Sequence, residues 1–206
     1  MRHAFALSVA TIALLGAAPA LAAPPDQPGH QSPAPGTAND TVSAVKDATG
    51  HVVGTVSAEM TTSLQGFVNE AAVSDMFEVE AGKIALDRSS DAGIKAFAKK
   101  MTAAHTTTTD QLTATLTKIT STVTPPATLD NRRQGMIDEL RAAKAADFDG
   151  RYLAQQVDAH NEALILMRGY AKDGDTPAVK SFAAKTEKAV QMHLNMAQKL
   201  KDKHTS

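Results

Sequence analysis

Cysteine and tryptophan are absent from the 206 residues, and aromatic residues make up only 4%, as six Phe and two Tyr. Without cysteine there is no disulfide, no thiolate metal ligand, no cysteine nucleophile and no lipid-modified cysteine anchor. With so few aromatics, the 43% of hydrophobic residues must build a core from Ala, Val, Leu, Ile and Met, which suits closely packed helices better than a β-sandwich. An excess of one charge sign is lacking too. The 21 basic and 22 acidic residues leave a formal net charge of −1, so there is no basic face for a phosphate backbone, and no nucleic acid is expected as a partner. A Gly-rich phosphate loop, a Gly-x-Ser-x-Gly elbow and a His-Glu-x-x-His pair are missing as well. No catalytic set can be assembled, and the expected role is non-enzymatic.

The N-terminus reads as an export signal. Arg2 and His3 form a short basic start, Ala4 to Leu15 an apolar stretch, and Ala20-Leu21-Ala22 the small-x-small pattern that signal peptidase recognises. The apolar stretch is well short of the ~20 residues that cross a bilayer, so cleavage after Ala22 and a mature chain with no transmembrane span are expected. Residues 23–62 then form a Pro-rich flexible segment. Its part from 23 to 36, APPDQPGHQSPAPG, holds five of the nine prolines and cannot bury enough apolar surface to offset the cost of ordering. Residues 39–62 could form a small hairpin turning at Asp47 to Gly50, or no structure; an isolated hairpin is marginal in water, and weak or no structure is the expectation. His30 and His51 are expected to be solvated.

Residues 63–202 have a different character. Leu64, Phe67, Val68, Ala71, Val79, Gly82, Ala85 and Leu86 recur at helical spacing, with Ser63 as N-cap. After Ser89-Ser90, Asp91 caps a second helix of about 92–120. On it Ile94, Phe97, Met101, His105, Thr108, Leu112, Leu116 and Ile119 trace one stripe, in steps of three and four. The threonine-rich outer face of this helix is poor helix composition, which packing of the stripe should override. Pro125-Pro126 end the pattern. Asp130 caps a short helix to Lys144, a further helix covers 146–172, and Pro177 opens a last helix to about Lys201. Two helical hairpins, 63–120 and 146–201, joined by about 25 residues carrying a short helix, make an all-α, ferritin-like four-helix bundle with one long crossover. Glu80, Lys83, Asp87 and Arg88 read as a solvated face, and Asp158, His160 and Glu162 as a charged cluster on one helix.

Four polar residues fall on inner faces: Glu78, His105, His160 and His193, one per long helix. At ~1.5 Å per residue each lies roughly 18–29 Å from its interhelical turn, at or beyond mid-bundle. One acid and three imidazoles that converge would suit one divalent transition metal ion. The alternative is that each histidine is a buried polar group held by a carbonyl or an acid. A di-iron carboxylate centre needs a Glu-x-x-His pair on each of two helices. Here the positions three before His105 and His193 are Thr102 and Val190, which excludes that centre on these residues.

The phrases FVNEAAVSDMFEVEAGKIAL (67–86), IKAFAKKMTAAHTTTTDQL (94–112), FDGRYLAQQVDAH (148–160) and VKSFAAKTEKAVQMHL (179–194) resemble the bacterial family called domain of unknown function 4142. The resemblance spans about 63–200. It implies a ferritin-like helical bundle in exported proteins, often labelled outer-membrane or periplasmic, and brings no established reaction. Members often carry an acid before the second-helix histidine, where this chain has Ala104. The expectation is an exported periplasmic or cell-envelope helical-bundle protein, peripheral to the outer membrane if it meets it at all, with a role in envelope stress. A metal-binding or redox protein using the inner Glu/His cluster is one alternative. The other is an envelope interaction module whose outer faces, the threonine-rich one first, bind a protein partner.

Overall fold

The computed structural model describes residues 54, 55, 58 and 61–206. The expected export signal, the tether and most of residues 39–62 lie outside the described residues. Within them the chain is all-α. The helices are α1 (Leu64–Arg88), α2 (Ala92–Lys118), α3 (Asn131–Ala142), α4 (Ala145–Asp173) and α5 (Pro177–Thr205). The starts follow from side-chain chemistry. Ser63 Oγ accepts from the Gly66 amide at 3.2 Å, Asp91 Oδ1 from Ile94 at 2.9 Å and Asp130 Oδ1 from Arg133 at 2.7 Å, each satisfying an amide that the helix cannot. Pro177 occupies the first turn of α5, where its missing N–H costs nothing. The α2 helix ends with Thr120 at φ 52° and the Ser121 amide bonded back to the Leu116 carbonyl at 3.0 Å.

Two pairs of helices make the largest contacts, α1 with α2 and α4 with α5, and the pairs meet through α1–α4 and α2–α5. Cross-helix contacts fix the directions. Asp75 reaches His105 and Thr109 while Gly82 abuts Ala98 and Thr102, so α1 and α2 run antiparallel. Phe67 meets Tyr170 and Glu78 meets His160, which sets α1 antiparallel to α4. Lys100 lies against Met196 and His105 against His193, giving the same relation for α2 and α5. Arg168 bonds Glu187 and Gln191 across α4 and α5. The far end of this arrangement is pinned by Asp175. Its carboxylate accepts from the Leu64 amide at 3.1 Å, from the Tyr170 hydroxyl at 2.8 Å and from Thr176, while its own amide donates to the Thr62 carbonyl.

The apolar interior is divided in two. One cluster surrounds Phe67, Leu112, Leu116, Tyr170 and Phe182; the other surrounds Phe77, Phe97, Met101, Phe148 and Tyr152. Each long helix crosses from one to the other through a polar layer, at Asp75 and Glu78, at His105, at His160 and at His193, all buried.

Several details depart from the sequence-based expectations. Gly54, Thr55 and Ala58 are helical, and Ala58 is buried in the first core cluster, so helical packing begins before residue 63. Arg88 is no part of a solvated face. Its guanidinium donates to the carbonyls of Leu140, Arg141 and Ala143, covering the orphan carbonyls at the end of α3, and lies 4.7 Å over the Phe148 ring. Glu162 is interior, held by Arg132 at 3.1 and 2.7 Å and by Arg133 at 2.7 Å. The threonines of α2 turn back onto their own helix. Thr102, Thr106, Thr107, Thr108, Thr115 and Thr117 each donate to the carbonyl four residues earlier, whereas the single hydroxyl proton of Thr109 is directed to Asp75 Oδ2 at 3.0 Å.

Candidate metal centre

The polar layer brings three of the four singled-out side chains into one cluster. His105, His160 and His193 come from α2, α4 and α5, with ring centroids 5.6, 5.7 and 5.9 Å apart. One ring nitrogen from each lies within 4.8 Å of the other two, and all three residues are buried. Their helices deliver them there because the stripe positions around them are apolar and pull the same face inward: Met101 and Leu112 flank His105, Ala159 and Ala163 flank His160, and Val190 and Leu194 flank His193.

The second ring nitrogen of two of these histidines is tied down. His160 Nδ1 lies 2.8 Å from the Gln156 carbonyl, which can only accept, so Nδ1 carries the proton and Nε2 keeps its lone pair. His105 Nδ1 lies 2.7 Å from Asp75 Oδ1, whose other oxygen accepts from Thr109 at 3.0 Å. What remains is one buried nitrogen per ring with no hydrogen-bond partner: His105 Nε2, His160 Nε2 and His193 Nδ1.

Glu78 stands beside this cluster rather than within it. Its Oε1 is 3.7 Å from His160 Nδ1, on the side of the ring that faces Gln156, and it is not among the nitrogens and oxygens that converge within 4.8 Å. Its carboxyl lies beside the Gln156 side chain, which acts to lower its pKa, and the Tyr152 hydroxyl has no hydrogen-bond partner.

Electrostatics follow from burial. His160 is pushed down to about 3 by burial and then by the nearby charge of His105. His193 is pushed down to about 3 by burial, with His160 and His105 adding to it. Both are neutral imidazoles at neutral pH, the form that binds a metal. For His105 burial acts in the same sense, but the Asp75 hydrogen bond and the Glu78 and Asp75 charges outweigh it and raise its pKa. Burial raises both carboxyls, against the lowering influence of His105 on each. Tyr152 is raised by burial and by Glu78.

Asp75 was not singled out from the sequence, although a signal was present. It lies three residues before Glu78, one turn away on the same face of α1. The two carboxylates therefore approach the cluster together, one behind His105 and one beside His160.

An all-helical chain with a buried three-histidine cluster at mid-length is the class that these observations define. The chain belongs to the family described as Domain of unknown function (DUF4142), which matches residues 53–200. Comparison with curated proteins and with solved structures gave no match. In the described residues no helix is long and apolar enough to cross a membrane.

Proposed function

We propose that this protein is an exported, metal-binding component of the cell envelope that holds one divalent transition metal ion on His105, His160 and His193. The observation that carries the reading is the matched set of ring nitrogens. Each imidazole keeps one buried nitrogen free, and two of the three are oriented through the other nitrogen by Asp75 Oδ1 and the Gln156 carbonyl. Metal-ligating histidines are held in that way, by a carboxylate or carbonyl on the far nitrogen. Tetrahedral bonds of about 2.0–2.1 Å would set ligand nitrogens about 3.3 Å apart. The present spacing, within 4.8 Å, needs only small side-chain rotations to reach it.

Charge supports a divalent ion. Three neutral imidazoles leave two positive charges to be balanced in a buried layer, and Asp75 and Glu78 supply two carboxylates behind and beside the rings. Glu78 is accordingly read as a counter-charge rather than a ligand. Imidazole donors suit zinc, copper, iron and nickel.

The antiparallel α1–α2 and α4–α5 pairs, joined by a long connection through α3, support a ferritin-like four-helix arrangement with one crossover. Export, cleavage after Ala22 and a periplasmic location rest on the N-terminal pattern. The reading carries no reaction with it, and a part in the envelope's response to metal stress fits a binding role.

The test is metal content of the mature chain, purified without a histidine tag and loaded in turn with zinc, copper, iron and manganese. One ion per chain, lost in each of His105→Ala, His160→Ala and His193→Ala, is expected. No stoichiometric metal under any loading would overturn the proposal and leave the histidines as structural polar groups.

A further inference from the structure

We infer that the α2–α5 side of the molecule is a docking face for an anionic lipid surface, formed by exposed lysines around Met192. The formal net charge of −1 averages over a separation that only packing produces. Along α2 there are four lysines against one acid, and along α5 six against two. The other pair is acidic: α1 has five acids against two basic residues, and α4 five against three. Because α2 packs on α5 and α1 on α4, positive charge gathers on one side and negative charge on the other. A near-neutral sequence thus folds into a chain with a basic face, which corrects the expectation drawn from net charge.

The face has a definite geometry. On α5, Lys185, Lys188, Met192, Met196 and Lys199 recur in steps of three and four, so they share one side of the helix. Lys100 Nζ lies 3.7 Å from Met196 Sδ, which sets that side against α2. A stripe of α2 through Lys100, Gln111 and Lys118 borders it. The five lysines are exposed, and among the described residues none of them is held in an ion pair. At ~1.5 Å per residue they span roughly 20–27 Å along the two helices. The acids of these helices lie elsewhere. Glu187 is bound by Arg168 of α4, Asp110 lines a groove on the α1 side, and Asp202 stands at the end of α5 beyond Lys199. The face is also uncovered, since α3 packs on α1 and α4.

A lipid surface fits this chemistry better than other polyanions. Every cation of the patch is a lysine, a compact charge on a flexible stem, and no arginine supplies the planar fork suited to bidentate phosphate recognition. No aromatic ring stands among them for a base to stack on. Two antiparallel helices side by side present a broad, shallow surface. Within it sits Met192, the large hydrophobic side chain that the described residues expose, at 48%. Its thioether chain can enter the headgroup boundary while the lysine stems lie along that boundary and their ammonium groups meet lipid phosphates. Docking of this kind is non-covalent and needs no metal, so it stands apart from the three-histidine centre.

The experiment is co-sedimentation of the mature chain, purified without a histidine tag, with vesicles of phosphatidylcholine alone or with one-third phosphatidylglycerol. The expected result is binding to the anionic vesicles only, falling as salt rises, because the surface potential acts within a Debye length. Lys185→Glu with Lys188→Glu, and Lys100→Glu with Lys199→Glu, should each weaken binding at least about 10-fold, since one lysine at an anionic leaflet accounts for roughly 5-fold. Lys83→Glu with Lys172→Glu makes the same change in net charge on α1 and α4 and should leave binding unchanged. All six positions are at the surface, and retained helical circular dichroism checks that the variants fold. No binding to anionic vesicles, equal binding to both compositions, or equal loss in the α1–α4 control pair would each overturn the inference. Tighter binding to a DNA duplex than to the anionic vesicles would overturn it too. None of these outcomes bears on metal content, so the metal reading stands or falls separately.

Discussion

His105 Nδ1 and Asp75 Oδ1 lie 2.7 Å apart across the α1–α2 contact, both buried, with Thr109 holding the other carboxylate oxygen. This pair leaves Nε2 as the unpartnered nitrogen of His105 and raises the basicity of the ring. Asp75→Ala should therefore lower metal affinity by about 10–100-fold, and Asp75→Asn by less, since an amide oxygen can still accept from Nδ1–H. Competition with a chromophoric chelator reads the change. Equal affinity in Asp75→Ala and wild type would show that the carboxylate does not position the ring.

Metal should stabilise the fold, because the three ligands come from three different helices and converge only in the folded chain. At a free metal concentration 100 times Kd, linkage contributes about 2.7 kcal/mol, which for a chain of this size is a rise of roughly 5–11 °C in Tm. His160→Gln should abolish that rise. Differential scanning calorimetry with and without metal measures both.

Phe67 packs 4.2 Å from the Tyr170 ring and 6.2 Å from the Phe182 ring, with no exposure to solvent. Its truncation in Phe67→Ala removes the hub that joins α1, α4 and α5 at one end of the molecule. A loss of about 3–5 kcal/mol in urea unfolding is expected. A loss below 1 kcal/mol would mean that this end of the core is not packed as described.

Glu162 neutralises Arg133, a buried guanidinium whose pKa is lowered by burial. Glu162→Ala strands that charge and should cost about 3–5 kcal/mol, whereas Glu162→Leu combined with Arg133→Met should recover most of the loss. Equilibrium denaturation of the single and double variants decides it.

The Tyr170–Asp175 hydrogen bond predicts stability loss at both extremes of pH. Asp175 is lowered, first by the Tyr170 hydroxyl, so its contribution is fully present above the unfolded value of 3.8 and is lost as pH falls through the lower folded value. Tyr170 is raised to about 12, first by burial, so its contribution is present below pH 10 and is lost as pH rises from 10 toward 12. Tyr170→Phe should flatten the alkaline limb and shrink the acid one. Unfolding midpoints across pH 2–12 give the comparison, and an unchanged alkaline limb would contradict it.

Helix positions were legible because they depend on local chemistry. Ser63, Asp91 and Asp130 cap where their side chains reach the next turn, and the apolar stripes of α2 and α4 run as their periodicity requires. The three histidines could be flagged because each sits where a hydrocarbon would be the default. Asp75 and Glu162 were not flagged as partners. A carboxylate on a helix reads as solvated until a neighbouring helix is rotated against it, and Asp75 finds His105 thirty residues on while Glu162 finds Arg133 twenty-nine residues back. Arg88 was misread as solvated for the same reason, since its three carbonyl acceptors belong to the end of another helix.

By itself the sequence determined the helical class, the absence of cysteine chemistry, the approximate helix ends and the depth of each inner polar residue. These follow from composition, capping and a 3.6-residue period, all of which act within a few residues of chain. Tertiary structure alone decided that His105, His160 and His193 share one cluster, that Glu78 stands beside it, and that Asp75 is the carboxylate bound to His105. Counting along a helix fixes height but leaves rotation free, and only the packing of α1, α2, α4 and α5 against one another fixes which side chains face the same point.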